Sequence, residues 1–261
     1  MRYELLGSLR VVGDDGIHVL SAKKKEILLA TLLIRGGQVV TKDQLVDELW
    51  GDRPPSRATA ALHVYISQLR AFLAAGEREW SPIVTRSPGY LLELGADELD
   101  FQLFQRLTTQ GRSHARGQRH EQAVECFEQA LALWRGPALG GLKEGRTVAG
   151  FATWLEELRL ECVELNITSK LALGHDHELI GVLYALLLEH PLHEAFYQGL
   201  MAALYRVGRR ADALQVYRRA RDVLRGDLGI EPCRPLRELH QAILRAEDDA
   251  GSSLVRLGLT G

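Results

Sequence analysis

The chain has 261 residues, 46% of them hydrophobic and 25% charged, and a formal net charge of −2. That length accommodates two domains of roughly 100–200 residues each, and the composition is that of an ordinary globular protein. No apolar run reaches the roughly 18 residues of a membrane span, the start MRYELLGSLRVVG has no signal-peptide pattern, and Cys126, Cys162 and Cys233 are far apart, odd in number and match no CxxC or Cys/His metal spacing.

A cytoplasmic protein with reduced thiols, no cofactor and no metal is therefore expected. Residues 1–95 carry 12 basic and 11 acidic side chains, and residues 96–261 carry 20 and 23. Neither half is basic enough to declare a nucleic-acid partner from charge alone, so any such reading rests on where the charges lie.

In chain order, Arg2 to Val19 reads as short strands. Tyr3, Leu5, Leu9, Val11 and Val19 are the strand formers, and Gly7-Ser8 and Gly13-Asp14-Asp15-Gly16 are turns. Ile27, Leu28, Ala30, Thr31 and Ile34 follow helical spacing, and Gly36-Gly37 stops that helix. Lys23-Lys24-Lys25 opens it, where cations oppose the helix dipole unless an anion lies nearby. Thr41 is the predicted N-cap of a second helix, Lys42 to Trp50, with Leu45, Val46 and Leu49 inward. After the loop Gly51-Asp52-Arg53-Pro54-Pro55, Ser56 is the predicted cap of a third helix running to about Ala75. Ile83–Arg86, Ser87-Pro88-Gly89 and Tyr90–Leu92 then read as a β-hairpin. Strands, three helices and a hairpin, in that order, predict an α+β winged helix-turn-helix.

The polar, turn-prone stretch Gly95 to Asp100 marks a predicted domain boundary, giving domains 1–95 and 96–261. Beyond it strand signals disappear. GQRHEQAVECFEQAL and GRRADALQVYRRARDVL each carry a glycine and then Ala-x3-aromatic-x2-Ala, at Ala123, Phe127, Ala130 and at Ala213, Tyr217, Ala220. GHDHELIGVLYALLLEHPL keeps Gly174 and Pro191 but not the alanines. The intervals Gly117–Gly174 and Gly174–Gly208 are 57 and 34 residues; the second matches a TPR period and the first implies an insertion holding Gly136-Pro137 and Gly140-Gly141. The second domain is therefore predicted as all-α and TPR-like.

The third helix carries the functional reading. Leu62, Ile66, Leu69 and Leu73 fall within about 60° on a helical wheel, a core stripe. The opposite face holds Arg57, Ala60, Val64, Ser67, Gln68 and Ala71, with His63 and Arg70 on one flank and Tyr65 on the other, and no acidic residue lies between Ser56 and Ala75. Gln68 suits adenine, Arg57 and Arg70 suit phosphate or guanine, Val64 a thymine methyl and Tyr65 a phosphate. Arg86 at the hairpin tip is the wing residue for a phosphate or minor-groove contact, and Thr41 either caps its helix or offers its backbone N–H to a phosphate. A fragment ending near Leu94 is expected to fold and keep sequence preference but not to activate transcription. Arg206, Arg209, Arg210, Arg218, Arg219 and Arg221 form a patch suited to acidic partner groups.

The stretch KKKEILLATLLIRGGQVVTKDQLVDELWGDRPPSRATAALHVYISQLRAFL with IVTRSPGYLLEL resembles the OmpR-type domain of the Streptomyces antibiotic regulatory protein family, and HPLHEAFYQGLMAALYRVGRRADALQVYRRARDVLRGDLGIEPCRPLRELHQAIL resembles that family's bacterial transcriptional activation domain. The resemblance runs from Tyr3 to about Ala246 and departs at Lys23-Lys24-Lys25-Glu26 and at His63, where other residues are commoner. It implies a short-form, pathway-specific activator of an antibiotic gene cluster: a two-component-like effector domain without a receiver domain, binding direct repeats in double-stranded promoter DNA as a head-to-tail dimer. It further implies recruitment of RNA polymerase holoenzyme through its sigma factor, with the loop residues Trp50, Asp52 and Arg53 touching polymerase, in the cytoplasm on the nucleoid and with no membrane partner. Phosphate-loop, HExxH and GxSxG motifs are absent from the sequence, so an enzyme is not expected. The rival readings are a TPR-type scaffold that never touches DNA and, within DNA binding, a repressor. His175 and His177 stand in a helix-start loop without a neighbouring cysteine, which is a poor metal site.

Overall fold

A computed structural model of the chain describes residues 1–74 and 81–245. It divides into two compact units that interleave along the sequence: Met1–Leu107 with Gln129–Leu160, and Thr108–Glu128 with the chain from Glu161 onward. The boundary expected at 95–96 lies inside the first unit.

In the first unit, β1 (Arg2–Glu4), β2 (Arg10–Gly13) and β3 (Gly16–Val19) form an antiparallel meander. Next come α1 (Lys23–Ile34), β4 (Val40–Thr41), α2 (Lys42–Trp50), α3 (Ala58–Leu73) and the hairpin β5 (Ile83–Arg86) and β6 (Gly89–Leu92). The hairpin sheet has the order β4-β6-β5. This is the winged helix-turn-helix.

The expected absence of strands after residue 95 is corrected by β7 (Glu98–Leu99), which pairs parallel with β1 and completes a sheet of order β3-β2-β1-β7. Two residues are too few for alternation to show, so only the partner strand reveals them. Other local expectations shift too. Helix α1 is buried from Ile27 to Leu33 without a polar face, because α2, α3 and β6 all pack on it. On α2, Val46 is half-buried while Glu48 is buried. Ser56 does not cap α3: Ala58 N–H donates to the Pro55 carbonyl at 3.0 Å, and Arg57 stands at the N-cap without a side-chain bond. Helix α3 is helical to Leu73, and Ala75, its expected end, lies outside the described residues.

Helix α4 (Asp100–Arg116) starts in the first unit. Its first residue, Asp100, is 4% exposed and accepts the backbone N–H groups of Leu5 at 2.8 Å and Leu6 at 3.0 Å. The segment expected as an insertion supplies a 3-10 turn at Ala138–Gly141 and the start of α6 (Arg146–Ala172). It packs on the winged-helix core: Leu139, Leu142 and Val148 join the cluster of Leu5, Leu28 and Leu45. Arg135 N–H and Leu139 N–H donate to the carbonyls of Leu6 and Leu5 at 2.8 and 2.9 Å. The Arg135 guanidinium lies 3.3 Å from Glu4 and 3.7 Å from Asp100. Burial alone would raise Glu4, but the hydrogen bond from Arg10 and the charges of Arg2, Arg10 and Arg135 hold its carboxyl below the ordinary value. For Asp100 burial wins and pushes the carboxyl up, against the two backbone donors and Arg135.

The second unit is helical: the end of α4, most of α5 (His120–Ala132), the end of α6, then α7 (Asp176–Glu189), α8 (Glu194–Arg206), α9 (Arg210–Leu228) and α10 (Arg234–Arg245). Its three predicted repeat turns share one geometry. Arg119, His175 and Arg209 each donate back across the turn, to His114, Lys170 and Leu204, and the residue before each is left-handed. That residue is Gly174 or Gly208 in two turns, but Gln118 in the first, so the repeat register is carried by Gln118 and not by Gly117. Measured from it, Ala123 and Phe127 match Ala213 and Tyr217, and Leu179 and Leu183 fill the same places in α7. Small residues let helices approach: a Cβ on Gly111 would stand 2.5 Å from the Phe127 ring.

Candidate nucleic-acid interface

Helix α3 is split as its wheel predicts. Leu62, Ile66, Leu69 and Leu73 are buried, while Ala60, His63, Val64, Ser67, Gln68 and Ala71 are exposed, as is Arg57 at the N-cap. Val64 is 52% exposed and gives this face an apolar group suited to a thymine methyl. Thr59, exposed one turn before His63, belongs to the same face and was missed by the sequence reading; its spacing of four from His63 was the available signal.

Three predicted residues are more engaged than the sequence suggests. Thr41 closes a capping box: its hydroxyl accepts the Gln44 N–H at 3.2 Å and its own N–H donates to Gln44 Oε1 at 2.9 Å. That backbone N–H is therefore occupied within the protein. Tyr65 is half-buried and stacks on Trp50, with ring centroids 6.2 Å apart and 23° between planes. Arg70 turns toward the hairpin: Nε donates to the Ile83 carbonyl at 3.0 Å and a terminal nitrogen donates to Thr85 Oγ1 at 2.8 Å.

Arg86 is exposed at the hairpin tip, beside the turn. The hairpin is held close to β4 at Gly89, where a Cβ would lie 1.8 Å from the Val40 carbonyl oxygen; only glycine fits. On the loop, Asp52 and Arg53 are exposed and Trp50 is half-buried. Lys24 Nζ lies 4.8 Å from the Trp50 ring and donates to the Leu49 carbonyl at 2.7 Å, where it caps the end of α2. Lys23 meets Glu144 at 2.5 Å. Lys23 and Lys24 at the start of α1 thus have partners that no local pattern discloses. Glu48 completes the support: Oε1 accepts the Thr147 N–H at 2.7 Å in the first turn of α6.

The arginine patch of the second unit is largely used internally. Arg206 donates to the Leu171 carbonyl, Arg209 pairs with Asp212, Arg210 donates to the last carbonyls of α10, and Arg221 pairs with Glu231. Arg218 and Arg219 are exposed. Among the described residues no helix is long and apolar enough to cross a membrane.

An acid-free exposed helix face beside a hairpin, followed by a repeat-like helical unit, is the architecture of a winged-helix transcriptional regulator. Comparison with known proteins agrees: residues 18–92 match the family described as transcriptional regulatory protein, C terminal, and residues 99–244 match the bacterial transcriptional activator domain. The chain is 40% identical over 243 residues to the transcriptional regulator RedD of Streptomyces coelicolor, covering 92% of this chain and 69% of that one. It is 35% identical over 254 residues to the regulatory protein DnrI of Streptomyces peucetius, covering 95% and 93%. The structure of Mycobacterium tuberculosis EmbR, in complex with a low-affinity phosphopeptide, superposes with a TM-score of 0.87 at 34% identity, over 94% of this chain and 65% of that one. The chain belongs to the Streptomyces antibiotic regulatory protein family and is a transcriptional activator of that type.

Proposed function

We propose that the chain activates an antibiotic biosynthetic gene cluster by binding direct repeats in its promoters as a head-to-tail pair and recruiting RNA polymerase holoenzyme through the sigma factor. Such work places it on the nucleoid in the cytoplasm. Residues 1–95 read DNA and residues 96–261 serve activation. The observation that carries this reading is the exposed face of α3, which is free of acid and holds His63, Val64, Ser67 and Gln68. Arg57 serves a phosphate or a guanine, Tyr65 a phosphate and Arg86 a phosphate or the minor groove, Arg70 serves from the flank, and Thr41 fixes the start of α2 beside the hairpin. The near-neutral charge of residues 1–95 fits a local contact better than a broad electrostatic one.

Gln68→Ala is expected to weaken binding by about 1–3 kcal/mol and to relax preference at one base pair, since a bidentate adenine contact is lost. Selection from randomised duplexes by wild type and variant measures both effects. An unchanged selected sequence at unchanged affinity overturns α3 as the reader.

The loop after Trp50 is stiffened by Pro54 and Pro55 and presents Asp52 and Arg53 to solvent. Replacing both charged residues by alanine should lower transcription in a reconstituted assay several-fold more than it lowers DNA binding. Equal losses in the two assays count against a polymerase contact there.

A further inference from the structure

We propose that Arg70 is a positioning residue: it fixes the hairpin strand β5 against α3, so that Arg86 at the hairpin tip and the exposed face of α3 engage one duplex together. The inference rests on the DNA-reading proposal above and assigns Arg70 a role distinct from touching DNA.

Position 70 lies about 100° around α3 from the centre of the exposed face, on the flank facing the hairpin. Its guanidinium is used there. Nε donates to the main-chain carbonyl of Ile83, a terminal nitrogen donates to the Thr85 hydroxyl, and the group lies 5.8 Å from the Tyr90 ring centroid. Ile83 and Thr85 belong to β5, and Tyr90, which pairs with Thr85, belongs to β6, so one side chain touches both strands. The need is plain in the sheet order: among the described residues β5 is an edge strand, with β6 on one side and no strand on the other. An edge carbonyl lacks a neighbouring strand to donate to it, and Arg70 supplies that donor. Arg86 follows Thr85 directly, so the register of β5 relative to α3 sets where Arg86 stands.

The fork of the guanidinium matters. A lysine at 70 keeps the charge but has a single nitrogen, which cannot span a carbonyl and a hydroxyl while lying against the ring. A phosphate contact needs charge above all, and lysine serves it well. The two roles therefore separate on one substitution.

The test uses the full chain and, as probe, the duplex that the wild-type protein enriches most from a randomised pool. Arg70→Lys and Arg70→Ala are both expected to lose about tenfold in affinity, the scale of a charged hydrogen bond. Thr85→Val, which alters no charge and no backbone group, should lose a few-fold. Arg86→Ala should weaken the wild type but add less than about twofold on the Arg70→Lys background, because the tip is already misplaced. In the free protein, hydrogen exchange of the β5 amides should quicken in all the Arg70 and Thr85 variants. Wild-type affinity in Arg70→Lys beside a weak Arg70→Ala overturns the proposal in favour of a phosphate contact. Full additivity with Arg86→Ala, or unchanged exchange in β5, overturns it as well. Failure of the wild type to enrich any duplex is a different result: it overturns the DNA-reading proposal, and the binding role of Arg70 with it.

Discussion

Replacing Asp100 by alanine is expected to remove about 3 kcal/mol of stability from the full chain, a large share of the roughly 5–15 kcal/mol that holds a typical domain. The carboxyl does three things at once. It accepts the N–H groups of Leu5 and Leu6, which have no strand partner at that point, and it lies 3.7 Å from the Arg135 guanidinium. At 4% exposure little water reaches the groups it leaves behind. Each orphaned buried donor costs about 1–3 kcal/mol, and the unpaired arginine adds to it. Asparagine keeps one acceptor but turns an amide N–H toward the second backbone donor, so Asp100→Asn should recover about half of the loss. The pH dependence has a definite sign. Burial holds this carboxyl above its ordinary value, so its contribution is fully present below the unfolded value and falls as pH rises through the folded one. The deficit of Asp100→Ala should therefore be larger in acid than at neutrality, with Glu4, whose carboxyl is held down, acting in the opposite sense. Urea unfolding of wild type and both variants across pH measures this. A loss under about 1 kcal/mol at neutrality overturns the account.

The parts of the fold that were legible in the sequence are those written in local patterns. The apolar stripe Leu62, Ile66, Leu69, Leu73 recurs at helical spacing and is buried as a stripe. Thr41 and Gln44 stand three apart and form the capping box. The turn Ser87-Pro88-Gly89 separates two strand-forming runs, and the hairpin is there. The parts that were not legible depend on residues far apart in the chain. Asp100 stands in a polar, turn-prone run that reads as a linker until its partners Leu5 and Leu6 are known. Glu48 sits on a helix where an acid normally faces water, and its buried Oε1 finds its donor 99 residues away, at the Thr147 N–H. Arg70 shows the limit for the candidate site: on a helix flank, a cation aimed at a phosphate and one aimed at a strand carbonyl have the same sequence signature. The first repeat turn departs from its glycine by one residue, a purely local exception. A glycine is the usual left-handed residue, but here Gln118 takes that conformation beside Gly117.

A fragment ending at Leu94 is expected not to fold cooperatively, although the sequence alone suggests a self-sufficient winged helix there. The cut removes β7, whose Glu98 N–H donates to the Met1 carbonyl at 3.2 Å, and with it the neighbour of β1. It removes Asp100 and so strands the Leu5 and Leu6 amides. It also removes Arg135 N–H and Leu139 N–H, which satisfy the carbonyls of Leu6 and Leu5. The apolar loss is of similar size: Leu139, Leu142 and Val148 are all buried in the same cluster as Tyr3, Leu28 and Leu49, at about 1.5–3 kcal/mol for each side chain. Together these losses match or exceed the whole stability of a typical small domain. The fragment should show helical circular dichroism below that of the same residues in the full chain, a broad urea transition and poor selection of any duplex. A sharp urea transition with a midpoint close to the full chain's would show that residues 1–94 carry their own core, and that the groups beyond them are attached to it without holding it. Restoring residues 95–160 is a cleaner complement than restoring 95–107. Only the longer addition returns the Arg135 and Leu139 donors as well as the strand and the carboxyl.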